Sequence, residues 1–180
     1  NQKKTKITKA ETNEIKIKKI KKLHGCFTEV IPDRIEAGTY IIAGALVGDN
    51  LKIDNVIPDH IEALLLKLKE MKANMKVEKD HIIISKTDKL KKVNVQTQVF
   101  PGFPTDLQQP LTTLLTQCTG TSIMEENIYE NRFQNIPYLD KMGADIKIDE
   151  KMLIINGPTK LKGTEVEATD LRAGACLVLA

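Results

Sequence analysis

Between residues 31 and 168 the same series of apolar and turn residues is written twice, and a self-similar chain has to fold as units that cover one another. In the first copy Pro32-Asp33 precedes a helical run from Ile35 to Val47, and Leu51-Lys52-Ile53 alternates as a strand. Pro58-Asp59 then opens a second helix through Met71, and Met75-Lys76-Val77 and His81-Ile82-Ile83-Ile84 form a hairpin across a short charged turn. In the second copy Pro104-Thr105-Asp106 leads into a helix to Thr116, a strand lies near Ser122-Ile123-Met124, another helix opens around Glu130-Asn131-Arg132-Phe133, and two strands follow. Met71 falls on Met142, Ala73 on Ala144 and Ile82-Ile83-Ile84 on Leu153-Ile154-Ile155. A third copy starts at Thr169-Asp170-Leu171-Arg172 and runs out inside its first helix, which leaves an exposed apolar helix expected at Ala173 to Ala180.

The unit reads αβαββ, with one more strand before each Asp-initiated helix, at Val93-Asn94-Val95 and Glu165-Val166-Glu167. Helices packed on mixed sheets give an α/β fold. Asp33, Asp106 and Asp170 each stand at a helix start, where a carboxylate accepts hydrogen bonds from exposed backbone N–H groups, so capping is the plain structural reading of all three. Leu64, Leu65, Leu68 and Met71 have helical spacing and read as core. Gly102 and Gly120 are isolated turn glycines, not a phosphate-cradling GxGxxG. Glu125-Glu126 is a pair in sequence only, because neighbours on a strand point to opposite faces.

Composition removes several classes. With 41% hydrophobic residues and a net charge of +3, most of the chain should fold. The apolar runs Tyr40 to Val47 and Ala173 to Ala180 fall far short of the roughly 20 residues that a membrane-spanning helix needs. The start, Asn1-Gln2-Lys3-Lys4, is followed by no apolar segment and lacks an initiator Met, so it reads neither as a signal peptide nor as a natural start but as an excised piece. Cys26, Cys118 and Cys176 are an odd, widely spaced set, which fits a reducing, cytoplasmic compartment and no disulfide framework. His24, His60 and His81 lie far from any cysteine pair, so no zinc site is implied. Lys3-Lys4, Lys18-Lys19 and Lys21-Lys22 make a basic start, yet Glu14-Ile15-Lys16-Ile17-Lys18 alternates as a strand with one buried and one wet face, and lysine without clustered arginine or interleaved aromatics is a weak nucleic-acid footprint.

Four strings carry a resemblance to a known family: Ile31-Pro32-Asp33-Arg34-Ile35-Glu36-Ala37-Gly38-Thr39, Pro101-Gly102-Phe103-Pro104-Thr105-Asp106-Leu107-Gln108, Glu130-Asn131-Arg132-Phe133, and Ala168-Thr169-Asp170-Leu171-Arg172-Ala173-Gly174. In that order they resemble the UDP-N-acetylglucosamine enolpyruvyl transferases, and the similarity runs from about residue 14 to the end. The resemblance implies two domains, each of three βαβαββ units folded as an inside-out α/β barrel. Residues 1–31 then correspond to the end of the first domain, and 32–180 to two repeats of the second (about 32–100 and 101–168) plus the opening of its third. It implies transfer of enolpyruvate from phosphoenolpyruvate to the 3-hydroxyl of UDP-N-acetylglucosamine with release of phosphate, the first committed step of bacterial peptidoglycan synthesis, in the cytoplasm and with no metal or organic cofactor.

By the same resemblance Asp106 is the carboxylate at the sugar hydroxyl and the proposed base, with Thr105 and the backbone at Ile128 also on the nucleotide-sugar. Arg132 and Arg172 face the phosphoenolpyruvate carboxylate, which planar guanidinium forks suit better than lysine. Glu130 and Asp170 are expected to orient those arginines, and Asp33 stands at the hinge between domains, where it caps, meets the partner domain or lines the cleft. The family's Lys-Asn pair, its flexible loop with a reactive cysteine and its late arginine match nothing here, so this chain alone is expected to be inactive without the first domain. The rival readings are a non-catalytic nucleotide-sugar-binding or protein-interaction fragment and, more remotely, a basic nucleic-acid binder whose association would be steeply salt-dependent.

Overall fold

A computed structural model describes residues 7, 8, 14–19, 22 and 25–180; Lys3, Lys4, Lys21 and His24 lie outside them. The chain divides into two compact units, Asn1–Ile31 and Pro32–Ala180. In the first, β1 (Ile7–Thr8) and β2 (Lys16–Ile17) pair antiparallel. The alternation around Ile15 and Ile17 does give a strand, but both isoleucines are exposed. Among the described residues of this unit only these two strands pair, and a two-stranded ribbon by itself buries neither face.

In the second unit α1 (Arg34–Val47) begins where the Asp33 carboxylate accepts from the N–H groups of Ile35 and Glu36 at 2.7 and 3.3 Å. Ile35, Ile41, Ile42 and Ala45 bury its apolar side. After β3 (Leu51–Asp54), Pro58 fits the first turn of a 3₁₀ segment, Pro58–Ile61, that runs on into α2 (Glu62–Glu70). The hairpin β4 (Asn74–Val77) and β5 (His81–Ser85) completes an antiparallel sheet of order β3-β5-β4. The second copy supplies β6 (Asn94–Gln96), a 3₁₀ turn at Thr105–Leu107, α3 (Gln108–Leu115), β7 (Gly120–Glu125), α4 (Ile136–Lys141), β8 (Asp145–Asp149) and β9 (Met152–Gly157). Its sheet has the order β6-β7-β9-β8, with β6 and β7 parallel and the other pairs antiparallel.

The repeat holds residue by residue. One constant shift carries Met71 onto Met142, and it also carries the pair Leu51↔Ile84 onto Ser122↔Ile155 and Met75↔Ile84 onto Ile146↔Ile155. The same shift takes Lys72 (φ 64°) to Gly143 (φ 101°), so both second helices end through a left-handed residue before their hairpins.

The first helices of the copies sit inside and the sheets outside. α3 packs against α1 and against α5 (Leu171–Leu179), and all eight of its residues are buried. On the sheets burial alternates, as in the buried Ile82 and Ile84 of β5 and Leu153 and Ile155 of β9, so one face meets the helices and the other meets solvent. Leu64, Leu65, Leu68 and Met71 are core.

Three elements differ from the sequence reading. Glu130 to Phe133 is turn and extended chain, and α4 starts only at Ile136, next to Pro137 in its first turn. Residues 165–167 form no strand: β6 pairs with the strand after its helix, whereas α5 is followed by none in this chain. The apolar helix at Ala173 to Ala180 is only partly exposed, since Ala173, Cys176 and Leu177 are buried while Leu171 and Val178 face solvent.

Candidate functional site

Thr105, Asp106, Arg132 and Arg172 converge where the start of α3 meets the loop after β7 and the start of α5, whereas Asp33 lies in a separate cleft with Glu36, Tyr40 and Ile53. Phe103 is buried and holds the preceding loop through the bond from Gln98 N–H to its carbonyl, 2.9 Å. Leu107, fully buried, lies against Gly38 of α1, where a Cβ would stand 2.5 Å from Leu107 Cδ1. Only a residue without a side chain lets α1 approach the turn this closely. That packing turns Leu107 inward and leaves Asp106, one residue earlier, on the rim.

Asp106 does not cap α3, contrary to the expectation for all three helix-start aspartates. No side chain caps this turn. Its Oδ1 instead accepts from Arg132 Nη2 at 2.9 Å, and Arg172 Nε lies 3.4 Å from the same oxygen. The side chain of Arg132 is 9% exposed, that of Arg172 28% and that of Asp106 40%, so two guanidinium groups are seated in the wall and a carboxylate stands at its mouth. Arg132 also donates through Nε to Thr105 Oγ1 at 3.3 Å, and its guanidinium carbon lies 4.6 Å from the centre of the Tyr129 ring.

Asp33 and Asp170 do cap. Asp170 Oδ1 accepts from the N–H groups of Arg172 and Ala173 at 2.7 and 2.9 Å, and its Oδ2 receives Gln109 Nε2 at 3.5 Å. Burial pushes its acidity toward the neutral form, but the N–H groups of Ala173 and Arg172, Gln109 and the charge of Arg132 outweigh it, and its pKa lies below the ordinary aspartate value. Asp170 acts on Arg172 by fixing the backbone that carries it and makes no ion pair with either arginine. Glu130 is exposed and among the described residues pairs with neither arginine. Ile128 has an exposed side chain, and its N–H is engaged by Glu126.

Glu126 is the residue that the sequence reading passed over. β7 ends at Glu125, so the two glutamates are not neighbours on a strand; Glu126 is buried, and its carboxylate accepts from Thr97 Oγ1 at 2.8 Å, Thr105 Oγ1 at 2.9 Å, and the N–H groups of Ile128 and Tyr129 at 2.8 and 3.0 Å. The signal in sequence was a glutamate directly after an apolar strand, next to the loop bearing Arg132. A cleft of about 230 Å³ opens beside this loop, with Ile128, Tyr129 and Phe133 on one side and Glu150 and Lys151 of the β8–β9 turn on the other. Among the described residues no group of three His, Cys, Asp or Glu converges as a metal site, and no helix is long and apolar enough to cross a membrane.

The site is thus a partly exposed carboxylate flanked by two fixed guanidinium groups with N–H donors to spare. Such a wall can hold a hydroxyl at the carboxylate and an anionic group at the arginines side by side.

Residues 1–180 match the family described as EPSP synthase (3-phosphoshikimate 1-carboxyvinyltransferase). UDP-N-acetylglucosamine 1-carboxyvinyltransferase 2 of Bacillus subtilis (strain 168) is 53% identical over 176 residues, which are 97% of this chain and 41% of that protein. The protein of the same name from Geobacillus kaustophilus (strain HTA426) is 50% identical over 175 residues, again 97% of this chain and 41% of the relative. The chain therefore spans about two fifths of the length of these curated relatives. Among solved structures, the enolpyruvyl transferase NikO from Streptomyces tendae aligns with a TM-score of 0.77 at 31% identity, covering 83% of this chain and 36% of that one. EPSP synthase from Acinetobacter baumannii aligns with a TM-score of 0.61 at 18% identity, over 81% of this chain and 38% of that one, a likeness of fold alone.

Proposed function

The chain belongs to the EPSP synthase family of enolpyruvyl transferases, and from that premise we propose that it supplies one wall of the active site of a UDP-N-acetylglucosamine enolpyruvyl transferase. The observation that carries this reading is the cluster of Asp106, Arg132 and Arg172, drawn from three separate sequence strings onto one oxygen. In the reaction the sugar 3-hydroxyl oxygen bonds to C2 of phosphoenolpyruvate while a proton goes to C3. Phosphate then leaves from C2 and a C3 proton is lost, which restores the double bond. A proton acceptor at the hydroxyl and fixed cations for the anionic partner are therefore required.

Asp106 fits the first role through Oδ2, since both arginines approach Oδ1. Arg132 retains Nη1, and Arg172 its two terminal nitrogens, for the phosphoenolpyruvate carboxylate. Thr105 and the backbone at Ile128 flank the position of the nucleotide-sugar, and with the Ile128 N–H engaged by Glu126 the carbonyl is the backbone group that would meet it. Asp170 serves by capping the helix that carries Arg172, Asp33 caps α1, and Glu130 lines the neighbouring cleft. Turnover would need a second wall from the first domain, which closes over bound substrate and excludes water. The place of action in this reading is the bacterial cytoplasm, in peptidoglycan synthesis.

Calorimetric titration of UDP-N-acetylglucosamine into this chain, with Asp106→Ala and UDP-glucose as controls, tests the reading. Saturable heat that vanishes in the variant supports a preformed half-site. Equal heat from UDP-glucose, or heat unchanged in Asp106→Ala, would overturn it.

A further inference from the structure

The four donors around Glu126 have fixed directions. Two are backbone N–H groups, which cannot reverse. Thr97 Oγ1 accepts from Asn127 N–H at 2.8 Å, so its own proton points to Glu126 Oε1. Thr105 Oγ1 accepts from Arg132 Nε, so its proton points to Glu126 Oε2. A guanidinium has no acceptor and an ionised carboxylate no donor, so the hydroxyl between them has one satisfactory orientation. Arg132 thus stands between two carboxylates: Asp106, reached directly and open to solvent, and Glu126, reached through Thr105 and only 5% exposed.

We propose that Glu126 is a positioning residue for this site, the buried counter-charge that fixes Arg132 through the Thr105 hydroxyl while pinning the loop at Ile128 and Tyr129. Asp106 is then free to turn to a substrate hydroxyl without releasing the arginine. This last clause rests on the transferase reading; the orientation of Arg132 does not.

Glu126→Gln is nearly isosteric and separates the two tasks. Three donors meet at Oε1, so the amide oxygen stays there and the amide NH₂ falls opposite Thr105. The Thr105 oxygen then accepts from the amide as well as from Arg132 Nε, its proton turns away from both, and the bridge no longer leads to a negative charge. The loop stays pinned and the arginine loses its buried counter-charge. Thr105→Val cuts the same link by deletion, and Thr105→Ser keeps it.

The test uses the 180-residue chain for solvent exchange of the Arg132 Nε–H by nuclear magnetic resonance. Glu126→Gln and Thr105→Val should each speed exchange about tenfold, the double variant no further, and Thr105→Ser should match wild type, with the Ile128 and Tyr129 amides still protected in Glu126→Gln. Unchanged Arg132 exchange in Glu126→Gln, or additive effects in the double variant, would overturn the proposal. A second arm places the same substitutions in a chimera in which this chain replaces the matching segment of the Bacillus subtilis relative. There the KM for phosphoenolpyruvate should rise about tenfold in both single variants, and in Glu126→Gln, which leaves Thr105 in place, the KM for the nucleotide-sugar should stay within about twofold of wild type. Equal rises in both KM values in Glu126→Gln would mean general loosening and count against positioning. An inactive chimera with the unsubstituted segment would sink the transferase reading, while the exchange arm still decides the role of Glu126.

Discussion

Arg132 Nη2 donates to Asp106 Oδ1 at 2.9 Å across 26 residues of sequence, joining the loop after β7 to the turn before α3. Lysine could not reproduce this joint, because one ammonium cannot hold Asp106, reach Thr105 and lie on Tyr129 together. Arg132→Lys should therefore lower stability by about 1 kcal/mol, the upper end for a pair whose acidic member is 40% exposed. Urea unfolding of the two proteins measures this, and a midpoint equal to wild type would show that the joint carries no net stability.

Gly38→Ala tests the contact that sets the turn. Its Cβ would fall 2.5 Å from Leu107 Cδ1 and 3.0 Å from Cδ2, and Leu107 is fully buried, so its side chain would have to shift against other core residues. Overpacking of this kind costs about 1–3 kcal/mol even though alanine favours helix. The melting temperature should fall, and with it the affinity for the nucleotide-sugar, since Asp106 moves with Leu107. An unchanged or raised melting temperature would show that Leu107 repacks freely.

Most of the frame was legible because it is periodic. The spacing of Leu64, Leu65, Leu68 and Met71 on one helix side, and of Ile82 and Ile84 on one strand face, follows from the geometry of those elements, and all six are buried. Asp33 and Asp170 were readable as caps because capping is local. Asp106 was not, since a residue at a 3₁₀ start has a choice of partners, and the two arginines that win lie far away in sequence. The absence of helix at Glu130 to Phe133 has the same origin. That segment has helix-compatible residues, but Arg132 is held through its side chain by Asp106 and Thr105 and through its carbonyl by Gln109 Nε2, all far away in sequence, a tertiary fact with no periodicity to announce it.

The thiols should divide sharply in reactivity. Burial pushes Cys118 up to about 12 and Cys176 to about 11, in the latter case against opposing hydrogen bonds from Thr113 and Asn135, while Cys26 is exposed. At pH 8 the thiolate fractions of the buried pair are then on the order of one in ten thousand and one in a thousand, before access is considered. Alkylation of the native chain followed by mass spectrometry should find one label per chain, on Cys26, with the other two modified only in denaturant. Comparable native rates at all three positions would mean that α5 is not seated on α3.

Asp170 links this seating to pH. Its folded pKa lies below the ordinary 3.8, because the capped N–H groups of Ala173 and Arg172, with Gln109 and Arg132, outweigh burial. A depressed carboxyl contributes stability that is complete above its unfolded value and is lost as pH falls below about 3.8 and through the folded value. Asparagine caps nearly as well but does not titrate, and alanine does neither. Asp170→Ala should cost about 1 kcal/mol at neutral pH. Asp170→Asn should cost less, and its deficit against wild type should be constant from pH 7 to about pH 5 and shrink as pH falls below 3.8. Urea midpoints at pH 7, 5, 4 and 3 give the curve. A deficit that grows on acidification would have the wrong sign for a carboxylate held in its charged form, and would place Asp170 off the N–H groups at the start of α5.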